Sequence, residues 1–237
     1  MSDVATMMWK EVAELVGNRR FLWIFILAVL AMGVLPSLTF ASHGSKTISV
    51  LGVIFLALYV LFAAVITVAN TAPDLVLHER VGHTLEYLLT TRLSDRAIFG
   101  AKVATAFLVG YTAAMLAMGV QLLAVAVLSG QGLHWLFLAE PQGRVIAFGI
   151  TAGLSLYVAV VGTFVALRVG EQRSAYMVTI LSVGLLVVPF LTGWLHAAMT
   201  ITWVSHAALW LGAIALALTV VGFRLFRRDM LVLYLQE

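Results

Sequence analysis

A chain of 237 residues that is 62% hydrophobic and 11% charged, with a mean hydropathy of +1.06, cannot be a soluble domain. Such domains run at about 45–50% apolar and about 25% charged. The absence of cysteine excludes disulfides, thiolate metal sites and cysteine nucleophiles. The net charge of +3 belongs to a membrane protein, where Lys and Arg chiefly set orientation, so no nucleic-acid partner is expected.

In chain order, residues 5–20 are expected to form an amphipathic helix lying in the membrane interface. Met8, Val12 and Leu15 share an apolar stripe with Trp9 beside it, opposite Lys10, Glu11 and Glu14. Either an ordinary membrane-entry helix or a partner-contacting one fits that pattern. The acids Asp3, Glu11 and Glu14, and a first apolar run about twice a signal core in length, argue against a signal peptide.

Six runs then reach the ~20 apolar residues needed to cross a bilayer: residues 21–40, 48–72, 97–128, 145–167, 176–198 and 204–223. None shows period-two alternation, so a barrel is excluded and helices remain. The expected fold is an all-α integral membrane protein, one transmembrane domain over 1–237 with six transmembrane helices. Twelve of the fourteen bases lie at one end of these spans, and only Lys46 and Arg144 at the other. The positive-inside rule makes the base-rich side cytoplasmic, with both termini inside, including the tail 224–237. A multi-pass protein of the cell (inner) membrane is expected, with the lipid membrane as its surroundings.

Between the second and third runs lies the longest polar island, Asp74 to Lys102, carrying eight charges. Pro73 and Asp74 are expected to end the second span, because proline disfavours helix in the residue before it. Gly82 then breaks the segment. Thr84 caps a short helix whose apolar edge is Leu85, Leu88 and Leu89, with Glu86, Thr90 and Arg92 polar. Ser94 or Asp95 caps the helix that leads into the third span. By composition alone, a solvated loop with snorkelling bases is the competing description of residues 74–97.

These residues carry a resemblance. Glu79-Arg80, Gly82, Thr84-Leu85-Glu86, Leu88-Leu89, Thr91, then Ile98, Gly100 and Lys102 resemble the cytoplasmic loop of the ABC-2-type transporter permeases. The departures are His83, inserted between Gly82 and Thr84, and Arg92, where proline is usual. In outline the likeness covers the whole chain, including Lys10-Glu11 in the N-terminal helix. It implies a permease subunit, acting as an exporter, that pairs with a second permease copy or a related permease. It also implies a separate ATP-binding cassette ATPase subunit, which would bind ATP and Mg; no cofactor is expected in this chain. In the family the loop is a coupling helix seated in the ATPase. Carried over, the coupling contact comprises Glu79, Gly82, Thr84, Leu85, Glu86, Leu88, Leu89 and Arg92, passing motion to the first, second and fifth spans.

Other chemistries find little support. His43-Gly44-Ser45-Lys46-Thr47 is no phosphate-binding loop, because Ser45 interrupts the Gly-Lys pair and Thr39 stands at the required glycine. The six histidines form no ligand set, so no metal site is expected. Gly153-Leu154-Ser155-Leu156-Tyr157 lacks the second glycine of a nucleophile elbow. No bond chemistry is expected of the chain, and a membrane enzyme is a distant reading. The spans hold no Asp, Glu, Lys or Arg in their middles, which argues against an ion-driven carrier. Tyr59, Thr67, Asn70 and Gln121 are the polar groups inside; each is a candidate either for the substrate path or for bonds between helices. Gly110, Ala113, Ala114 and Ala117 form a small-residue face that packs within the subunit or at a dimer seam. Pro189 and Gly193 call for a broken helix or a kink, and Trp135, Leu136 and Phe137 for an interfacial anchor. The class alternative to a permease is a non-transporting membrane scaffold or assembly factor that recruits a cytoplasmic partner; a haem-export role is a nearer variant.

Overall fold

The computed structural model describes residues 3–42, 50–81, 94–129, 138, 140–169, 171–196 and 200–226. Among them are seven helices and no strand: α1 Asp3–Gly17, α2 Arg19–Ser42, α3 Val50–Val81, α4 Asp95–Ser129, α5 Pro141–Arg168, α6 Gln172–His196 and α7 Ile201–Leu225. Five of them (α2, α3, α4, α5 and α7) are long and apolar enough to cross a membrane, and the described apolar part of α6 is Gln172–Val187. The protein is an all-α, multi-pass membrane protein. Large apolar side chains such as Trp23, Leu27, Leu209, Trp210 and Leu216 face outward, where lipid requires them.

α3 is the most enclosed of these spans and packs against α2, α4, α5 and α6. The close approach of α3 and α4 comes from the small-residue face. Ala113, Ala114 and Ala117 are fully buried, and a Cβ at Gly110 would stand 1.9 Å from Val68 Cγ2. That face therefore packs inside the subunit. At the base-rich end, Phe99 of α4 is wrapped by Phe164, Phe223 and Phe226 at centroid distances of 5.2, 5.5 and 5.4 Å. Gly222 lets α7 close on this cluster, since a Cβ there would lie 2.7 Å from the Phe99 ring. α5 is α-helical over Pro141–Arg144 and Thr151–Arg168 but π-helical over Val145–Ile150. Thr151 Oγ1 donates to Ile146 O at 3.0 Å across that wider turn.

Three expectations are corrected. The second span does not end at Pro73: α3 continues through Pro73 to Val81, 32 residues or about 48 Å of helix. Proline removes the N–H that would bond the carbonyl of Ala69. Tertiary packing holds the helix nonetheless, with Gly162 of α5 set so close that a Cβ there would be 2.9 Å from Ala72 and 3.5 Å from Pro73. The buried stripe of α1 is Met7, Glu11 and Leu15, not Met8, Val12 and Leu15. Glu11, expected on the polar face, is 1% exposed. Finally, of the two alternatives at Pro189 and Gly193 the broken helix is the one overturned: α6 is one helix up to His196, and the kink remains compatible with it. The aromatic residues 135–137 lie outside the described residues.

Candidate functional site

The junction of α1 and α2 opens the site. Asn18 N donates to Leu15 O, and its Oδ1 accepts from Arg20 N at 3.0 Å and from Phe21 N at 3.4 Å. A single Asn thereby ends one helix and caps the next, leaving α1 turned back against α4 and α2. Between this corner, α3 and the start of α6 lies a cavity of about 720 Å³, within the ~300–1,000 Å³ typical of ligand sites.

The α3 wall of the cavity is polar. Thr67, Asn70, Thr71, Asp74 and His78 recur at helical spacing and all line it. Thr67 Oγ1 donates to Ala63 O at 2.8 Å, Asn70 Nδ2 to Ile66 O at 2.8 Å and Thr71 Oγ1 to Thr67 O at 2.7 Å. The two hydroxyl donors are thus engaged by their own helix, as is one of the two amide hydrogens of Asn70, and the oxygen lone pairs remain. Asp74 Oδ1 accepts from Gln172 Nε2 of α6 at 3.3 Å. Opposite stand Phe21, Ile24 and Phe25 of α2, with the two rings 5.9 Å apart.

Beside the cavity, Lys102 of α4 reaches across the base of α3. Its Nζ donates to Glu11 Oε1 at 2.9 Å and to Leu75 O at 2.6 Å. The side chains are 5% and 2% exposed, so this is a buried ion pair that ties α1, α3 and α4 into one unit. Nearer the surface, Glu14 pairs with Lys10 at 3.4 Å.

Of the four residues expected in a substrate path, Thr67 and Asn70 are brought together on the cavity wall. Tyr59 stands farther along α3, half-buried and away from it. Gln121 is buried elsewhere, between α2 and α3: its Nε2 donates to Leu56 O and its backbone carbonyl accepts from Ser37 Oγ, both at 3.3 Å. It joins helices. Of the coupling residues, Gly82, Thr84, Leu85, Glu86, Leu88, Leu89 and Arg92 lie outside the described residues. Glu79 stands in the last turn of α3, with its side chain outside them as well. Ser94 does cap α4, its Oγ accepting from Ala97 N at 3.2 Å. No group of three or more His, Cys, Asp or Glu able to hold a metal occurs among the described residues.

Sequence reasoning missed Asp74, because it was assigned to a loop, and the Glu11–Lys102 pair. Glu11 did carry a signal: it lies one turn from both Met7 and Leu15, and an acid in the middle of an apolar stripe requires a base.

No protein-family model matches this chain, and no curated protein is detectably similar to it.

Proposed function

We propose that this chain is the membrane-spanning subunit of an ATP-binding cassette exporter. It crosses the membrane six times, with α6 as the fifth crossing, and keeps both ends in the cytoplasm. A second permease copy completes the path, and separate ATPase subunits carry ATP and Mg.

The observation that carries this reading is the motif of the polar island, Glu79 to Lys102, together with the elements on either side of it. α3 runs unbroken into the start of the motif, and α4 begins on the Ser94 cap at its end. Lys102, the last residue of the motif, grips Leu75 O of α3 and Glu11 of α1. A push on the island would therefore move two long spans and the interfacial helix together. This is the mechanical property a coupling element needs. The cavity between α2, α3 and α6 supports the same reading, since these are the first, second and fifth crossings.

The test is co-purification from membranes with the ATP-binding subunit of its gene neighbourhood, followed by ATPase and transport assays of wild type, Leu85→Asp and Glu79→Arg. A stoichiometric complex, with transport lost in both variants while membrane insertion is kept, is the expected result. If the folded wild type recruits no ATPase, or if both variants transport normally, the coupling reading is lost; in the former case a scaffold takes its place.

A further inference from the structure

We infer that the cavity between α2, α3 and α6 binds an amphiphilic organic cation, with the carboxylate of Asp74 as its counter-ion. The inference rests on the permease reading only for its claim that the bound molecule is cargo.

The charges near the cavity are mostly settled already. Glu11 is matched by Lys102 at 2.9 Å and Glu14 by Lys10 at 3.4 Å. Asp74 makes no ion pair among the described residues, and its bond there is to the neutral amide of Gln172. Of the bases that line the cavity, Arg20 is exposed on the first turn of α2 and His78 is exposed one turn beyond Asp74. Asp74 is set deeper, half-buried, on a helix whose apolar span runs from Ile54 to His78. That places the carboxylate one turn inside the end of the span, where a cavity opening at the membrane surface can bring a ligand to it.

The neighbours of Asp74 specify what kind of partner. The hydroxyls of Thr67 and Thr71 have donated their hydrogens to backbone carbonyls, and Asn70 has spent one of its two amide hydrogens in the same way. The wall therefore offers neutral polar groups, its hydroxyls as acceptors only, around Asp74. A carboxylate flanked by hydroxyls that can only accept receives a positively charged donor better than an anion. Phe21 and Phe25 of α2 also line the cavity and offer ring surface to an aromatic or alkyl body, and cations are attracted to ring faces. A volume of about 720 Å³ admits a drug-sized molecule, far more than a bare metal ion.

The experiment uses the full-length chain in lipid nanodiscs without any ATPase subunit, with ethidium as the probe and the anionic dye fluorescein as the control of similar size. Saturable ethidium binding, well above that of fluorescein, is expected. Asp74→Asn should weaken it at least fivefold while retaining the Gln172 contact. Glu140→Gln should leave it within twofold, because that acid, at the start of α5, does not line the cavity. If Asp74→Asn does not give monodisperse protein, Asn70→Leu serves in its place, with the same threshold. The inference is overturned by a smaller loss, by equal binding of fluorescein, or by no saturable ethidium binding to folded wild type. Because no ATPase is present, the two readings fail separately. A working transporter without ethidium binding loses only the cargo class, and ethidium binding without an ATPase partner leaves the site but not the exporter.

Discussion

Two neighbouring residues of α3 face opposite tasks. The carbonyl of Leu75 turns to α4, where Lys102 takes it up together with Glu11 in a buried, closed arrangement. The carboxylate of Asp74, one position earlier, turns to the cavity, where it accepts from Gln172 and feels the charge of the exposed His78 without an ion pair among the described residues. On a helix, a step of one residue is about 100° of rotation, so one turn of α3 serves both a structural clamp and an open wall. The difference is in completeness. A charge satisfied by an opposite charge inside the protein holds elements together, whereas one left facing a cavity waits for something outside the chain.

The comparison breaks most sharply at the clamp. Lys102→Met removes the base that Glu11 meets at 2.9 Å in a buried place and is expected to destabilise the fold by about 3–5 kcal/mol. Combining it with Glu11→Leu should recover most of that loss, because a well-packed apolar pair of similar volume is close to neutral in the same place. Unfolding in mixed micelles, compared across the two single variants and the double variant, measures this directly. A single variant within about 1 kcal/mol of wild type would show that the pair is not a clamp.

A second break tests the packing that places α3 beside α4 at all. Gly110→Ala puts a methyl group 1.9 Å from Val68 Cγ2, closer than any real contact, and should cost about 1–3 kcal/mol in the same assay. Val68→Ala added to it should restore part of the loss by removing the obstructing methyls. Were Gly110→Ala neutral alone, the two helices would have to sit farther apart than described.

Much of this architecture was legible in the sequence, for physical reasons that also explain what was not. The runs 21–40, 97–128 and 204–223 correspond to Arg19–Ser42, Asp95–Ser129 and Ile201–Leu225, because the length of apolar chain a bilayer demands is a strong, local signal. The small-residue face from Gly110 to Ala117 was equally visible, but the helix it would meet was not, since small residues announce close approach without naming a partner. Pro73 misled because its effect on the preceding residue is a local preference, and the packing of Gly162 against Ala72 overrides it. That one misplacement removed Asp74 from the membrane-spanning helix and hid the polar wall. Glu11 misled differently: counting it as polar shifted the α1 stripe by one residue, whereas counting it as the buried half of an ion pair gives Met7, Glu11 and Leu15.

The gentlest perturbation sharpens the comparison. Asp74→Asn removes a charge of the same kind as Glu11, at the same end of the molecule, yet its effect on stability should stay within about 0.5 kcal/mol, the range of substitutions that break no buried pair. The asparagine can still accept from Gln172, and no base is left buried, because Asp74 has no ion-pair partner among the described residues and the nearby His78 is exposed. Measured beside Lys102→Met in the same micelles, the pair of values separates a charge that supports the fold from one that does not. If Asp74→Asn destabilises as much as the clamp variant, then Asp74 is a structural group, and the α3 wall of the cavity loses the carboxylate that would receive a ligand.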